Sequence, residues 1–213
     1  MKTIDCFLGD YYHDKAPTYG AINRVVKGLA NVTLRDRTLE QLPDTLESNP
    51  TLIIIGLENR LNPQDAVADT WLTPELDKQL ADYVASGGTL LVLHSGLASY
   101  PKDSLYTKMI GGYFVSHPDK HCQVRYVSNK SWPLANAVDY IVEDEFYIVK
   151  LDPRETTVFM KSESSQHGKQ PAGWYHTFGR GRVMCLVPTH NPSGYEHPGI
   201  RQLFTDAISY LIS

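Results

Sequence analysis

The stretch Gly87-Gly88-Thr89-Leu90-Leu91-Val92-Leu93-His94-Ser95-Gly96 decides how this chain is read. A helix with one apolar face, Leu76, Leu80, Tyr83 and Val84, runs into the Gly-Gly stop. Five residues of almost unbroken hydrophobicity follow, the pattern of a strand buried on both faces. That strand ends abruptly in a polar pair and a glycine, where the chain must turn. In open parallel sheets ligands bind beyond the carboxyl ends of the strands. His94 and Ser95 are therefore placed at the mouth of a site, against the plainer alternative of a strand that merely ends in a histidine.

Outward from this stretch the same pattern repeats. Thr3 to Leu8 reads as a first strand, closed by Gly9-Asp10 and followed by the aromatic and polar loop Tyr11-Tyr12-His13-Asp14, a binding lip or a solvated loop. Ile22, Val25, Val26 and Leu29 recur at helical spacing, and Val32 to Leu34 makes a short strand. Leu52 to Ile55 is β-branched and uninterrupted, and it ends in Gly56-Leu57-Glu58-Asn59. A helix is expected from Pro74 to Ser86, with Thr73 as its N-cap, and a short one from Ser104 to Met109 before Gly111-Gly112. Strands alternating with helices argue for a parallel, doubly wound sheet. The strands ending at Leu8, Ile55, Leu93 and Val187 are expected to be neighbours in its core.

After Gly112 the texture changes. Gln123 to Val127, Tyr140 to Val149 and Thr157 to Met160 read as strands, and Trp174–Phe178 and Val183–Val187 as two strands joined by a glycine-bearing turn. With no linker in between, this region is expected to be an antiparallel elaboration of one domain spanning 1–213. The last strand leads into Pro188-Thr189-His190-Asn191, and a helix bearing Ile200, Leu203, Phe204, Ala207, Ile208 and Leu211 on one face ends the chain.

Composition narrows the class. The 213 residues are 42% hydrophobic and 21% charged with a net charge of -4, which argues against disorder and gives no basic footprint for nucleic acid. Cys6, Cys122 and Cys185 form no CxxC pair and read as small hydrophobes in a reducing compartment. Met1-Lys2 leads straight into a strand, and no apolar run is long enough to span a bilayer. The expectation is a cytoplasmic protein with no membrane and no nucleic-acid partner; homo-oligomerisation stays open.

Two strand ends present a histidine, His94 and His190, which makes a shared site the better reading. Between them in sequence lies Glu143-Asp144-Glu145-Phe146-Tyr147. Acids in a strand-like run are costly unless paired or liganded, the alternative being a solvated edge. His117 stands beside a turn, whereas His121, His167 and His176 have no such context and read as surface or structural residues. Tyr11, Tyr12, Trp174, Tyr175 and Tyr195, with Asp10, Glu58 and Asn191, offer the flat faces and hydrogen-bonding groups that a sugar requires, although aromatics also fill cores.

The ordered set Gly87-Gly88…His94, Gly111-Gly112-Tyr113-Phe114…His117-Pro118, Asp144-Glu145-Phe146-Tyr147, Pro171…Trp174…Gly179-Arg180-Gly181-Arg182-Val183 and His190…His197-Pro198 resembles the ThuA-like, trehalose-utilisation family. That family belongs to the class I glutamine amidotransferase-like superfamily. The resemblance runs from about residue 50 to the end. It implies a flavodoxin-like three-layer α/β sandwich with a mainly parallel sheet, and a role in sugar or keto-sugar metabolism. Glutamine amidotransferases carry a Gly-x-Cys-x-Gly elbow; here His94 stands where the cysteine would be and His190 where the late histidine would be. Without a thiolate to attack glutamine, glutaminase activity is expected to be absent.

Three functional readings follow. In the first, a carbohydrate is bound and transformed by His94, His190 and Glu145, with Asp10, Tyr12, Glu58, His117, Tyr147, Trp174 and Asn191 contacting the ligand. In the second, the same pocket binds sugar without turnover. In the third, Ser95 is the nucleophile of a hydrolase activated by His190, although the G-x-S-x-G frame is incomplete. Two histidines and a carboxylate are also the minimum set for Zn²⁺ or another divalent metal, so His94, His190 and Glu145 are candidate ligands. No HExxH or paired CxxC marks such a site, and the same groups equally suit metal-free acid/base chemistry.

Overall fold

The computed structural model describes residues 1–128, 136–152 and 156–213. Its core is laid down by the apolar strands β1 (Lys2–Leu8), β3 (Leu52–Gly56), β4 (Thr89–Leu93) and β11 (Gly181–Leu186). They lie side by side and run parallel, with β2 (Val32–Arg37) outside β1. Ile53, Ile54, Leu90, Leu91 and Val92 are all wholly buried. Their unbroken hydrophobicity thus reports burial on both faces, as expected of strands covered by helices.

The covering helices are α1 (Lys15–Val26), α2 (Leu42–Glu47), α3 (Pro74–Ala85), α4 (Leu105–Ile110) and α5 (Pro198–Leu211). α1 packs against α5, and α3 against α2 and α4. The connection β1–α1–β2 steps one way along the sheet and β3–α3–β4 steps the other. Right-handed crossovers put the helices of such oppositely directed steps on opposite faces. Local chemistry sets the helix starts: Asp14 accepts from the backbone of Ala16 at the start of α1, and Thr73 from that of Leu76 ahead of Pro74 in α3. α1 ends at Val26, so Leu29, expected on its apolar face, lies beyond it and packs against the core from the following turn. None of the described helices is long and apolar enough to cross a membrane.

Beyond β11 the sheet continues antiparallel through β10 (Gly168–Phe178), β9 (Thr157–Ser164), β6 (Cys122–Ser128) and β7 (Asp139–Asp144). The nine-stranded sheet is therefore parallel on one side and antiparallel on the other. A separate two-stranded ribbon pairs β5 (Gly112–Ser116) with β8 (Ile148–Leu151).

The run Tyr140 to Val149, expected to be one strand, is broken. Asp144 ends β7 in the large sheet and Ile148 begins β8 in the ribbon, so Glu145, Phe146 and Tyr147 form a link between two sheets. The cause is the Asp144 carboxylate, fully buried, which accepts hydrogen bonds from the backbone of Glu145 and His190 and from the Tyr126 hydroxyl. Glu143 is exposed, so only the first of the three acids is solvated.

Candidate functional site

The sheet order reverses between β1 and β3, and a crevice opens beyond the carboxyl ends of the strands there. Asp10 and His13 follow β1, Glu58 follows β3, His94 and Ser95 follow β4, and His190 follows β11. The β7–β8 link brings Glu145 across from the antiparallel side.

His94 is the elbow of the site. It leaves β4 with φ +43°, a left-handed conformation rare outside glycine, and begins a short 3-10 turn, His94–Leu97. The turn is tight because Gly96 lies against β3: a Cβ there would meet the Ile55 carbonyl oxygen at 2.6 Å and Val92 Cγ1 at 2.9 Å. Gly96→Ala is expected to cost about 1–3 kcal/mol through forced backbone movement. A chemical-denaturation midpoint unchanged from the parent would show that the elbow can yield.

The histidine protons are fixed by their outer partners. His94 Nδ1 lies 2.8 Å from the Val187 carbonyl oxygen, which only accepts, so Nδ1 carries the proton and Nε2 turns a lone pair inward. His13 Nδ1 lies 2.6 Å from Asp10 Oδ1, which likewise leaves its Nε2 as the inward acceptor. His13 Nε2 is 3.1 Å from His190 Nδ1, and Glu145 Oε2 is 3.3 Å from both His190 Nδ1 and His94 Nε2. One ligand atom from each of His13, His94, Glu145 and His190 lies within 4.8 Å of the others, so these four residues could hold a metal ion. Among the described residues, buried His94 Nε2 has no well-formed hydrogen-bond partner.

Electrostatics follow from this packing. Burial holds the His94 imidazole below its usual pKa although Glu145 works against it. The hydrogen bond from His190 to Glu145 raises His190, despite its partial burial. Burial pushes the Glu145 carboxyl up, but the hydrogen bond from His190 and the charge interactions with His94 and His190 outweigh it and hold the carboxyl well below the ordinary range. Burial likewise pushes Asp10 up and is overcome, mainly by His13, so its carboxyl lies below the usual value.

Glu145 Oε1 faces the mouth, 3.6 Å from His117 Nε2 and 3.8 Å from His121 Nε2. His117 Nδ1 donates to the Pro118 carbonyl oxygen at 2.8 Å, which leaves the lone pair on its partly exposed Nε2. The cleft above has a volume of about 480 Å³. Its walls include Tyr12, Arg60, Phe114 and Tyr147, the last stacked on His94 with ring centroids 4.3 Å apart. Buried Glu58 presents Oε2 to Arg60 Nε at 2.8 Å and to Ser99 Oγ at 2.6 Å, while Oε1 has no hydrogen-bond partner among the described residues.

Of the residues singled out from sequence, His94, Glu145 and His190 meet at the floor, and Tyr12, Glu58, Ser95, His117 and Tyr147 line or adjoin it. Asp10 takes a different part. Its carboxylate is engaged by His13, by the backbone of Tyr12 and Glu58, and by Ser95, so it orients the floor and is not free to contact a ligand. Asn191 sits behind His121, donating to the Glu143 carbonyl at 2.8 Å and lying 3.2 Å from His121 Nδ1.

Trp174 is not in the cleft. It is wholly buried in β10, its indole N–H donating to the Ile110 carbonyl oxygen, because this strand is interior to the sheet. Tyr195 is buried too, and Tyr175 packs against the core. His121, whose sequence context suggests a surface or structural residue, lies beside Glu145, its Nε2 3.8 Å from Oε1. His13, which the sequence places only in an aromatic and polar loop, joins the floor as well. Its signal was its place just after an apolar strand, the same position that marked His94. His176 is structural, with Nε2 2.7 Å from the Met109 carbonyl oxygen.

Comparison with known proteins agrees with this architecture. A family profile described as trehalose utilisation, ThuA, matches residues 8–211. A thua-like protein from Parabacteroides merdae superposes with a TM-score of 0.77 at 11% identity, over 100% of this chain and 90% of that one. Another, from Bacteroides uniformis, gives 0.71 at 15% identity, over 99% and 91%. A cold-adapted β-galactosidase from Rahnella sp. R3 gives 0.70 at 9% identity, with 99% of this chain covering 31% of that much longer one. At such identities the likeness is one of fold. No curated protein matches by sequence. With the profile covering nearly all of the chain and the elbow histidine seated at the sheet's crevice, this protein belongs to the ThuA, trehalose-utilisation family.

Proposed function

We propose that the protein binds a sugar or keto-sugar in the cleft and acts on it by proton transfer. The observation that carries this reading is Glu58: its carboxylate, held on one oxygen by Arg60 and Ser99, lines the cleft, and its other oxygen, buried and without a hydrogen-bond partner among the described residues, calls for a donor. A carboxylate oxygen so placed suits a ligand hydroxyl, since such charge-assisted bonds are short and strong. Tyr12, Phe114 and Tyr147 supply flat apolar faces beside it, the mixture that carbohydrate surfaces require. The cleft volume falls within the roughly 300–1,000 Å³ of small-ligand sites.

In this reading the floor fixes one polar group of the sugar, and His117 moves the proton. Its Nε2 faces Glu145 Oε1, which steadies the imidazolium formed when a sugar hydroxyl or a carbon beside a keto group gives up its proton. The purely sugar-binding alternative uses the same contacts without turnover. Hydrolysis through Ser95 has weaker support, because that hydroxyl is engaged by Asp10 and it is His94 that occupies the strained elbow.

A thermal-shift screen over sugars and keto-sugars tests the reading, since a ligand that binds only the folded state raises Tm. A saturable rise is expected with at least one sugar. Glu58→Ala should weaken it on the order of 10–100-fold, the equivalent of losing a charged hydrogen bond. Conversion of that sugar, followed by NMR, should disappear in His117→Ala while binding persists. If no sugar raises Tm, or if Glu58→Ala binds as the parent does, the carbohydrate reading fails.

A further inference from the structure

We infer that His13 Nε2, His94 Nε2, Glu145 Oε2 and His190 Nδ1 form a mononuclear site for a first-row divalent transition metal of the zinc type. The argument begins with donors and acceptors. The Val187 carbonyl and the Asp10 carboxylate force the protons of His94 and His13 onto their outer nitrogens. Two imidazole lone pairs, a carboxylate oxygen and His190 Nδ1 then converge on one region. Acceptors facing acceptors across about 3 Å repel unless a cation stands among them. His94 Nε2, buried without a well-formed hydrogen-bond partner among the described residues, is the clearest sign of that need.

Spacing favours a metal. Ligands about 2.0–2.1 Å from a tetrahedral ion stand roughly 3.3–3.4 Å from one another. Three of the separations are 3.1, 3.3 and 3.3 Å, and all lie within 4.8 Å. The outer partners are also those of metal centres, where each ligating histidine typically gives its second N–H to a carboxylate or a backbone carbonyl. Asp10 does so for His13 and Val187 for His94, while Asp144 fixes the backbone of Glu145 and His190. Three imidazoles and one carboxylate suit zinc, iron, cobalt or nickel better than the oxygen-seeking magnesium or calcium.

The competing occupant is a proton on His190 Nδ1, which would bridge Glu145 and His13. The two are separable without any sugar, so this inference stands or falls apart from the carbohydrate reading. Full-length protein is stripped with chelator and titrated with Zn²⁺ by calorimetry, then loaded with Co²⁺ for visible absorption. One equivalent of Zn²⁺ should bind. Intense d–d bands of a low-coordinate imidazole site should appear with Co²⁺.

His94→Ala and Glu145→Gln should each weaken Zn²⁺ binding on the order of a hundredfold or more, and Asp10→Asn about 10–100-fold through His13. His167→Ala, an exposed histidine that is not one of the four donors, should bind as the parent does. Circular dichroism of each stripped variant checks folding, and the parent's Co²⁺ spectrum serves if a variant does not fold. Zn²⁺ uptake below one equivalent overturns the inference, as does affinity unaffected by His94→Ala and Glu145→Gln, or only the weak bands of hydrated Co²⁺.

Discussion

Asp144→Ala is expected to lower stability by about 3 kcal/mol or more and to dismantle the floor of the cleft. The carboxylate is fully buried and accepts from three donors, Tyr126 Oη at 2.8 Å, the Glu145 backbone at 3.0 Å and the His190 backbone at 2.8 Å. Leaving such donors unpaired costs about 1–3 kcal/mol each. The functional loss has a separate cause. Asp144 holds the ends of two segments distant in sequence, so its removal frees Glu145 and His190 together. Urea denaturation should show a lower midpoint, and ligand affinity measured well below the transition should fall at least tenfold. Asp144→Asn keeps one acceptor oxygen and should lie between the parent and the alanine variant. An alanine variant of parental stability would contradict this account.

Trp174→Ala is expected to be at least as damaging to the fold, at about 3–5 kcal/mol for an aromatic removed from a packed core. It should nonetheless spare the cleft. The indole packs inside β10, touches the tight turn at Gly112, and satisfies the Ile110 carbonyl. Denaturant melts and ligand titrations on the same preparation separate the two effects. A large loss of affinity at unchanged stability would return Trp174 to the site.

These two residues also show where sequence reading is strong and where it is weak. Trp174 and Tyr12 both looked like sugar platforms, because an aromatic side chain serves equally as core filler and as binding face. Only the tertiary structure separates them, by placing one in an interior strand and the other at a loop lip. Asp144 and Glu145 are neighbours with the same chemistry and different tasks. One carboxylate is spent on the backbone and the other is presented to the histidines.

The sequence by itself determined the parallel half of the sheet. Its strands are buried on both faces, and that burial requires runs such as Leu52–Ile55 and Leu90–Leu93 whose meaning is local. It also determined that His94 and His190 stand at strand ends, and the set of short motifs was enough for the family. The structure alone decided that the run through Glu145 breaks, that His13 and His121 join the site, and that Trp174 does not. Each of those outcomes depends on contacts between segments far apart in the chain. The 3.1 Å approach of His13 to His190 spans 177 positions, and the Asp144 bond to the His190 backbone spans 46. Periodicity and composition describe a residue's own segment, whereas a site of this kind is made by the packing that brings segments together.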